Sequence, residues 1–416
     1  MTGLGLASPY LPVASPAADA RVNPIVRALL YLFVLSVPFE FPHRSLPMEI
    51  PTLAGIALLA ATPLKPSECY RRLPPALLWF GGYLWVFLII TLVQGVEQRG
   101  LVLRLFITMA QLVLLFAVIY NMLADGRVLR GVLLALVAAC TVRAGLQVLG
   151  IGATAHELWT GGARVTMLGQ NANLSAIILS AGLVVVVGLH ASRDDRLPRL
   201  GVLTWPVVAL LGTAIVQTGS RGGLLCAGLG VATFLFRGRS PGQRLRNGLL
   251  ALAAVGVLAW VALHSPMMRG RFEQAEGGQL AGREVIYPTA LEMFSERPLL
   301  GWGPIDNQFE IARRIADRDL ARRDVHNLVL ELLTATGVVG AVPFLVGIGC
   351  CFWTAWGARG GMLGALPLAL LVAVLAGTVT GTWIAAKIVW LGLALAAGAH
   401  WADARTANGG RIPCAA

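Results

Sequence analysis

The chain has 416 residues, of which 56% are hydrophobic and 13% charged, with a mean hydropathy of +0.72. Soluble domains carry about 25% charged residues, and a chain of this length holds more apolar surface than one core buries, so an ordinary soluble globule is excluded and the surplus must face lipid. The net charge of +12 is spread in short clusters between apolar runs, which argues against nucleic acid as a partner and for charge that sets membrane topology.

The first 20 residues of the N-terminal tail, 1–23, are small, Pro-punctuated and uncharged until Asp19. They lack the basic start and apolar core of a signal peptide and predict a disordered cytoplasmic tail. Apolar runs of helix length then follow at 24–41, 49–64, 76–93, 102–123, 128–150, 172–191, 200–217, 222–237, 247–264, 326–352, 361–379 and 382–400. Spanning needs roughly 20 apolar residues, and only helices or closed barrels satisfy the backbone in hydrocarbon. The fold class expected is therefore all-α, a polytopic membrane protein of twelve spans, nine in 24–264 and three in 326–400, with a cytoplasmic tail at 401–416. Alternating topology puts seventeen cations on the even-numbered connections and termini, against Arg44, Arg99, Arg164 and Arg221 on the short odd-numbered ones. Both termini are thus expected in the cytoplasm.

The long hydrophilic segment 265–325 falls outside in this topology, and its nine Arg and ten acidic residues nearly cancel. Apolar residues at helical spacing (Leu291 and Phe294; Phe309, Ile311, Ala312 and Ile315) predict two amphipathic helices on the outer boundary, separated by a turn at Gly301–Pro304. The six cysteines show no metal spacing and fall in apolar or cytoplasmic stretches, so no disulfide is expected. No metal-ligand pattern appears among the histidines, and no cofactor is implied.

Charges inside spans are costly and call for a partner or a task. Arg104, Arg143 and Lys387 are the cations within the predicted spans, all in the outer half, where snorkelling to the interface is the plainer explanation. Arg164 and Arg221 share that boundary, as does Arg283 if its helix lies there. Guanidinium groups gathered at this depth beside Gly-rich backbone suit a phosphate or pyrophosphate carried on a lipid tail; ion pairing with acidic residues of 265–325 is the bland alternative. His326 opens the tenth span in DVHNLVLELLTATGVVG, where a histidine near its ordinary pKa of about 6.5 can accept a proton from an attacking hydroxyl. Asn327 and Glu331, four residues apart, face one side of the same helix as a structural or supporting pair. Gly337 and Gly340 are expected to permit close helix packing.

Four stretches resemble one family: GQNANLSAIIL at 169–179, TGSRGGLL at 218–225, GREVIYPTALEMFSERPLLGWGPIDNQF at 282–309, and VHNLVLELLTATGVVG at 325–340. In this order, around one long outer loop, they resemble the O-antigen ligases, within the superfamily of ligases, O-antigen polymerases and protein O-oligosaccharyltransferases. The resemblance implies transfer of a glycan from undecaprenyl pyrophosphate to a sugar hydroxyl of lipid A core, on the periplasmic face of the bacterial inner membrane. It also matches Arg221 to the family's Ser-Arg, Arg283 to its Gly-Arg and His326 to its His-Asn. Pro288, directly after Tyr287, departs from the pattern and leaves the helix start there open. Nothing in the N-terminal third matches, so Arg104 and Arg143 rest on the residue reading alone.

Together these readings make His326 the candidate catalytic residue. They assign the pyrophosphate to Arg221, Arg283, Lys387, Arg164 and Arg143, with Asn327 and Glu331 in support. The expected partners are the lipid-linked glycan, lipid A core and membrane lipid. An O-antigen polymerase or protein O-oligosaccharyltransferase is the nearest alternative, and a flippase or secondary transporter for an anionic lipid is the competitor from another class, since twelve spans with intramembrane cations also suit a pathway.

Overall fold

The computed structural model describes residues 22–40, 49–95, 97–158, 162–191, 200–236, 241–277, 282–315, 321–360 and 363–401. The tails expected at 1–23 and 401–416 fall almost wholly outside them. The helices are α1 (Pro24–Ser36), α2 (Ile50–Ala61), α3 (Pro66–Cys69), α4 (Pro75–Gln94), α5 (Arg99–Met122) and α6 (Gly126–Val148). After a hairpin of β1 (Ala153–Leu158) and β2 (Gly162–Met167) come α7 (Ala172–Ala191), α8 (Thr204–Gln217), α9 (Arg221–Ala232) and α10 (Pro241–His264). The chain continues through α11 (Pro266–Glu276), α12 (Arg283–Glu296), α13 (Asp306–Arg314), α14 (Leu328–Gly357), α15 (Leu366–Thr378) and α16 (Lys387–Ala397).

Among the described residues six helices, α4, α5, α6, α7, α10 and α14, are long and apolar enough to cross a membrane. Six shorter apolar helices occupy the remaining predicted spans. Local chemistry sets their starts: the Asn23 side chain accepts from the Ile25 amide ahead of Pro24, Asp125 accepts from Arg127 at 2.8 Å, and Ser220 accepts from Gly223 at 3.0 Å.

The bundle is built around α7, whose apolar window is 94% buried, against 28% for α4 and α10. A helix apolar on every face is stable only inside such a wrap. It is enclosed by α6, α8, α9 and α15, and small residues set the spacing: a Cβ at Gly223 would overlap that of Ala176, and one at Gly182 would press on Cys140. A second packing centre joins α4, α5, α14 and α16 through Phe80, Phe116, Phe344 and Trp390, whose rings meet at 5.0 to 6.3 Å.

The antiparallel hairpin, with Ala153 opposite Met167, departs from the all-α expectation. The segment 265–325 differs as well. It holds three described helices rather than two, and the helix start that Pro288 left open lies at Arg283, with Pro288 inside α12. Proline at this sixth position removes the bond an amide there would donate to the Glu284 carbonyl, and its ring crowds that carbonyl as well.

Residues 298–303 insert against α14 at a break. Gly337 has φ +59°, and the amides of Trp302 and Gly303 donate to the carbonyls of Thr334 and Ala335 at 2.8 and 3.0 Å. The Val338 amide donates in turn to Pro298 O at 2.9 Å. Gly337 therefore admits a loop backbone, not a neighbouring helix, and a Cβ there would strike Leu299. Gly340 makes its close approach to Thr336 of its own helix. Gly337→Ala is expected to destabilise the protein by roughly 1–3 kcal/mol or more, read as a lower melting temperature in detergent. Gly349→Ala, in open space on the same helix, should leave the melting temperature unchanged or slightly raised.

Candidate functional site

Arg164 on β2, Arg221 at the first position of α9, Arg271 on α11 and Arg283 at the first position of α12 converge at the end of the bundle where the hairpin and α11–α13 lie. Each is held by its surroundings. Arg164 donates to Thr218 O at 2.8 Å and Asn173 Oδ1 at 3.1 Å. The same Asn173 oxygen accepts from the Ser220 hydroxyl that caps α9. Arg221 donates to the Arg271 carbonyl at 3.0 Å, joining α9 to α11. Arg283 donates to Thr380 O at 2.8 Å, just past α15, and Gly222 leaves room for the Thr380 side chain, so the starts of α9 and α12 meet on one residue.

The four charges act on one another. Burial, followed by the like charges of Arg271, Arg283 and Arg221, pushes the Arg164 guanidinium down to about 10. Arg271 is lowered by burial and by Arg221 and Arg283. The buried Arg283 Nε–H has no hydrogen-bond partner. Converged guanidiniums with donors to spare are what a phosphate oxyanion requires.

His326 precedes α14 with φ +58°, a left-handed conformation that a histidine adopts only under constraint. Burial pushes its imidazole below the ordinary value; Asp324 opposes this, and Arg283 and Arg323 add to it. The ring is thus neutral at neutral pH and able to take a proton. The Tyr287 hydroxyl lies 3.3 Å from His326 O and 3.2 Å from Val379 O, bridging α12 to the ends of α14 and α15.

Asn327 and Glu331 do not bond through their side chains. Asn327 is the N-cap of α14, accepting from Val329 and Leu330 at 3.0 and 3.2 Å. Glu331 accepts instead from Asn307 Nδ2 at 3.1 Å, Gln308 Nε2 at 2.9 Å and the Val325 amide at 3.4 Å. One buried carboxylate thereby fastens α13 to the backbone beside His326.

Arg143 and Lys387 stand apart from the arginine cluster. Arg143 is fully buried, donating to Gln170 Oε1 at 2.6 Å and Ser175 Oγ at 2.5 Å. Lys387 is clasped by Glu40 and Glu49 at 2.8 and 2.6 Å. Gln170 bonds the Glu40 carbonyl, which links the two cations through one polar network. Arg104 is exposed on α5. Among acidic residues of 265–325, Glu310 pairs with Arg313 and Arg314, and Glu296 with Arg314.

Residues 206–345 match the family model described as O-antigen ligase. This segment belongs to the O-antigen ligase family. It contains Arg221, Arg271, Arg283, His326 and Glu331, while Arg143, Arg164 and Lys387 lie outside it. The family is one of glycosyl-transferring enzymes acting on lipid-linked glycans and lipid acceptors, and the apolar helices make this chain a multi-pass membrane protein. No curated protein matches the chain.

Arg271 was not among the residues singled out from sequence, although Ser265-Pro266 is a helix-start signal that would have drawn α11 around it. Glu331→Leu leaves Gln308 Nε2 and the Val325 amide without their acceptor, at about 1–3 kcal/mol for each buried group. The expected outcome is a clear fall in melting temperature, much smaller for Glu331→Gln, which keeps a carbonyl acceptor. Equal stability of Glu331→Leu and wild type would show that α13 is held by other contacts.

Proposed function

We propose that this protein is an O-antigen ligase: it transfers a glycan from undecaprenyl pyrophosphate to a sugar hydroxyl of lipid A core, at the periplasmic face of the inner membrane with both termini in the cytoplasm. The convergence of Arg164, Arg221, Arg271 and Arg283 beside a neutral His326 carries this reading. Arg221 and Arg283 hold the pyrophosphate and stabilise the charge that develops on the bridging oxygen as the anomeric C–O bond breaks. Arg164, positioned from the hairpin, and Arg271, from α11, complete the positive wall. Arg143 and Lys387 support the fold around the site through their own partners.

His326 accepts the proton of the attacking hydroxyl as its oxygen bonds to the anomeric carbon, and undecaprenyl pyrophosphate departs with the electrons of the broken bond. One displacement inverts the configuration. Pyrophosphate is a good leaving group, so the arginines supply the electrostatic stabilisation and the reaction is proposed to run without a metal. Asn327 and Glu331 fix the turn that presents the imidazole.

The test is transfer of a labelled glycan from undecaprenyl pyrophosphate to purified lipid A core, by purified protein in detergent with chelator present. Arg221→Ala and Arg283→Ala are each expected to lower transfer about 10²-fold or more, and Arg→Lys to restore only part, because lysine is not bidentate. Retained transfer in both alanine variants would remove the pyrophosphate site. Longer lipid-linked glycan with the core untouched would make the protein a polymerase. No product under conditions that support a known ligase would favour a transporter.

The rate should also depend on pH in one direction. A base with a lowered pKa stays competent through neutrality, so transfer should hold from pH 8 to below about 6.5 and fall as His326 protonates. Asp324→Asn removes the charge that raises the imidazole pKa, and should move that fall to lower pH.

A further inference from the structure

Two arginines of the cluster, Arg164 on the hairpin and Arg221 on α9, are joined through one side chain, Asn173. Arg164 lies along the turn 218–220 that leads into α9. Its Nε donates to Thr218 O at 2.8 Å, its Cγ would lie 3.3 Å from a Cβ added at Gly219, and its Nη2 donates to Asn173 Oδ1 at 3.1 Å. The same oxygen accepts from Ser220 Oγ at 2.8 Å. Ser220 Oγ in turn accepts from the Gly223 amide at 3.0 Å, as the N-cap of the helix whose first residue is Arg221. Asn173 sits in the first turn of α7, the most buried of the six long helices, where its own amide donates to Asn171 Oδ1 at 2.9 Å. One oxygen on the central helix thus holds both the hairpin arginine and the cap of α9.

The chemistry of these partners fixes which end of the amide faces them. A guanidinium can only donate, and a serine oxygen that already receives the Gly223 hydrogen has its own hydrogen to give, so both need an acceptor. An aspartate would serve the same two donors from the same place, with stronger charge-assisted bonds, and a carboxylate in the first turn of a helix is favoured by the helix dipole. For holding structure alone, aspartate is the better residue. Its drawback is electrostatic: a negative charge against Arg164, whose neighbours are Arg221, Arg271 and Arg283, would reduce the field that the cluster offers to an anion. We propose that Asn173 is a positioning residue of the anion site, fixing Arg164 and the Arg221 end of α9 to one another and, being neutral, leaving both charges to a polyanionic phosphate ligand. The role rests on the reading of the cluster as a pyrophosphate site.

The test compares the full-length wild type with Asn173→Asp and Asn173→Ala in detergent, by melting temperature and by affinity for inorganic pyrophosphate. Asn173→Asp keeps both acceptor contacts and adds one negative charge. It is expected to melt at the same temperature or higher, and to bind pyrophosphate about tenfold more weakly or worse. Asn173→Ala removes the shared acceptor and is expected to lower both the melting temperature and the affinity. A merely structural asparagine predicts instead that Asn173→Asp binds pyrophosphate like wild type, and that result would overturn the proposal. A lower melting temperature for Asn173→Asp would overturn it too, since the carboxylate would then not replace the amide oxygen, as would wild-type affinity in Asn173→Ala. No binding of pyrophosphate by wild type would remove the anion site itself and the proposal with it. If wild type binds pyrophosphate and Asn173→Asp binds it weakly, yet no glycan is transferred from undecaprenyl pyrophosphate, the role of Asn173 stands and the transferase reading fails.

Discussion

Glu331 is buried inside a helix start, where a carboxylate is tolerated only if its oxygens are matched, and it is matched by a side chain from each of two adjacent positions on α13 and by the Val325 amide. That requirement orders the end of the bundle. It draws α13 onto α14, fixes the turn in which His326 holds its left-handed conformation, and anchors the chain just after 298–303 has met the break at Gly337. Trp302 extends the same lock: its indole donates to Met293 O at 2.8 Å, while Arg297 and Arg314 lie 3.9 and 4.8 Å from its ring. The segment is thus a braced cap rather than a pair of helices resting on a surface.

The arginine cluster follows the opposite logic. Like charges from four elements repel, and Arg164, Arg221 and Arg283 are held by neutral partners, the carbonyls of Thr218, Arg271 and Thr380 and the side-chain amide of Asn173. Carbonyls orient guanidiniums without cancelling their charge, so the positive field is kept for a ligand. The contrast with Lys387, neutralised by two carboxylates, separates a cation kept available from one committed to the fold.

Much of the helical framework was legible because lipid imposes a simple code of apolar length. All twelve predicted segments coincide with apolar helices, and the grouping of Arg164, Arg221 and Arg283 followed from topology and depth. The misses have physical causes. The hairpin strands are six residues each and too mixed in character for a period-two pattern. Arg271 was hidden because 265–325 was scanned for apolar spacing and its first helix is weakly amphipathic. Asn327 and Glu331 were paired by their spacing of four, yet an Asn directly before a helix satisfies the free amides of that helix first. The separation of Arg143 and Lys387 from the cluster depends on Glu40, Gln170 and Glu49, which no local rule connects to them.

Three of the four helices around α7, namely α8, α9 and α15, are short. At about 1.5 Å per residue, the 12 residues of α9 and the 13 of α15 fall well short of the roughly 30 Å of hydrocarbon in a typical bilayer, while α14 with 30 residues exceeds it. The start of α9, which carries Arg221, and the end of α15, which leads to Thr380, are therefore recessed, and the membrane beside them must thin or admit water. Acyl-chain length thus becomes a property the site senses: a thicker bilayer pulls the headgroup plane away from the recess at a cost set by hydrophobic mismatch. A lipid whose head is bound beside Arg221 would have to follow that depression.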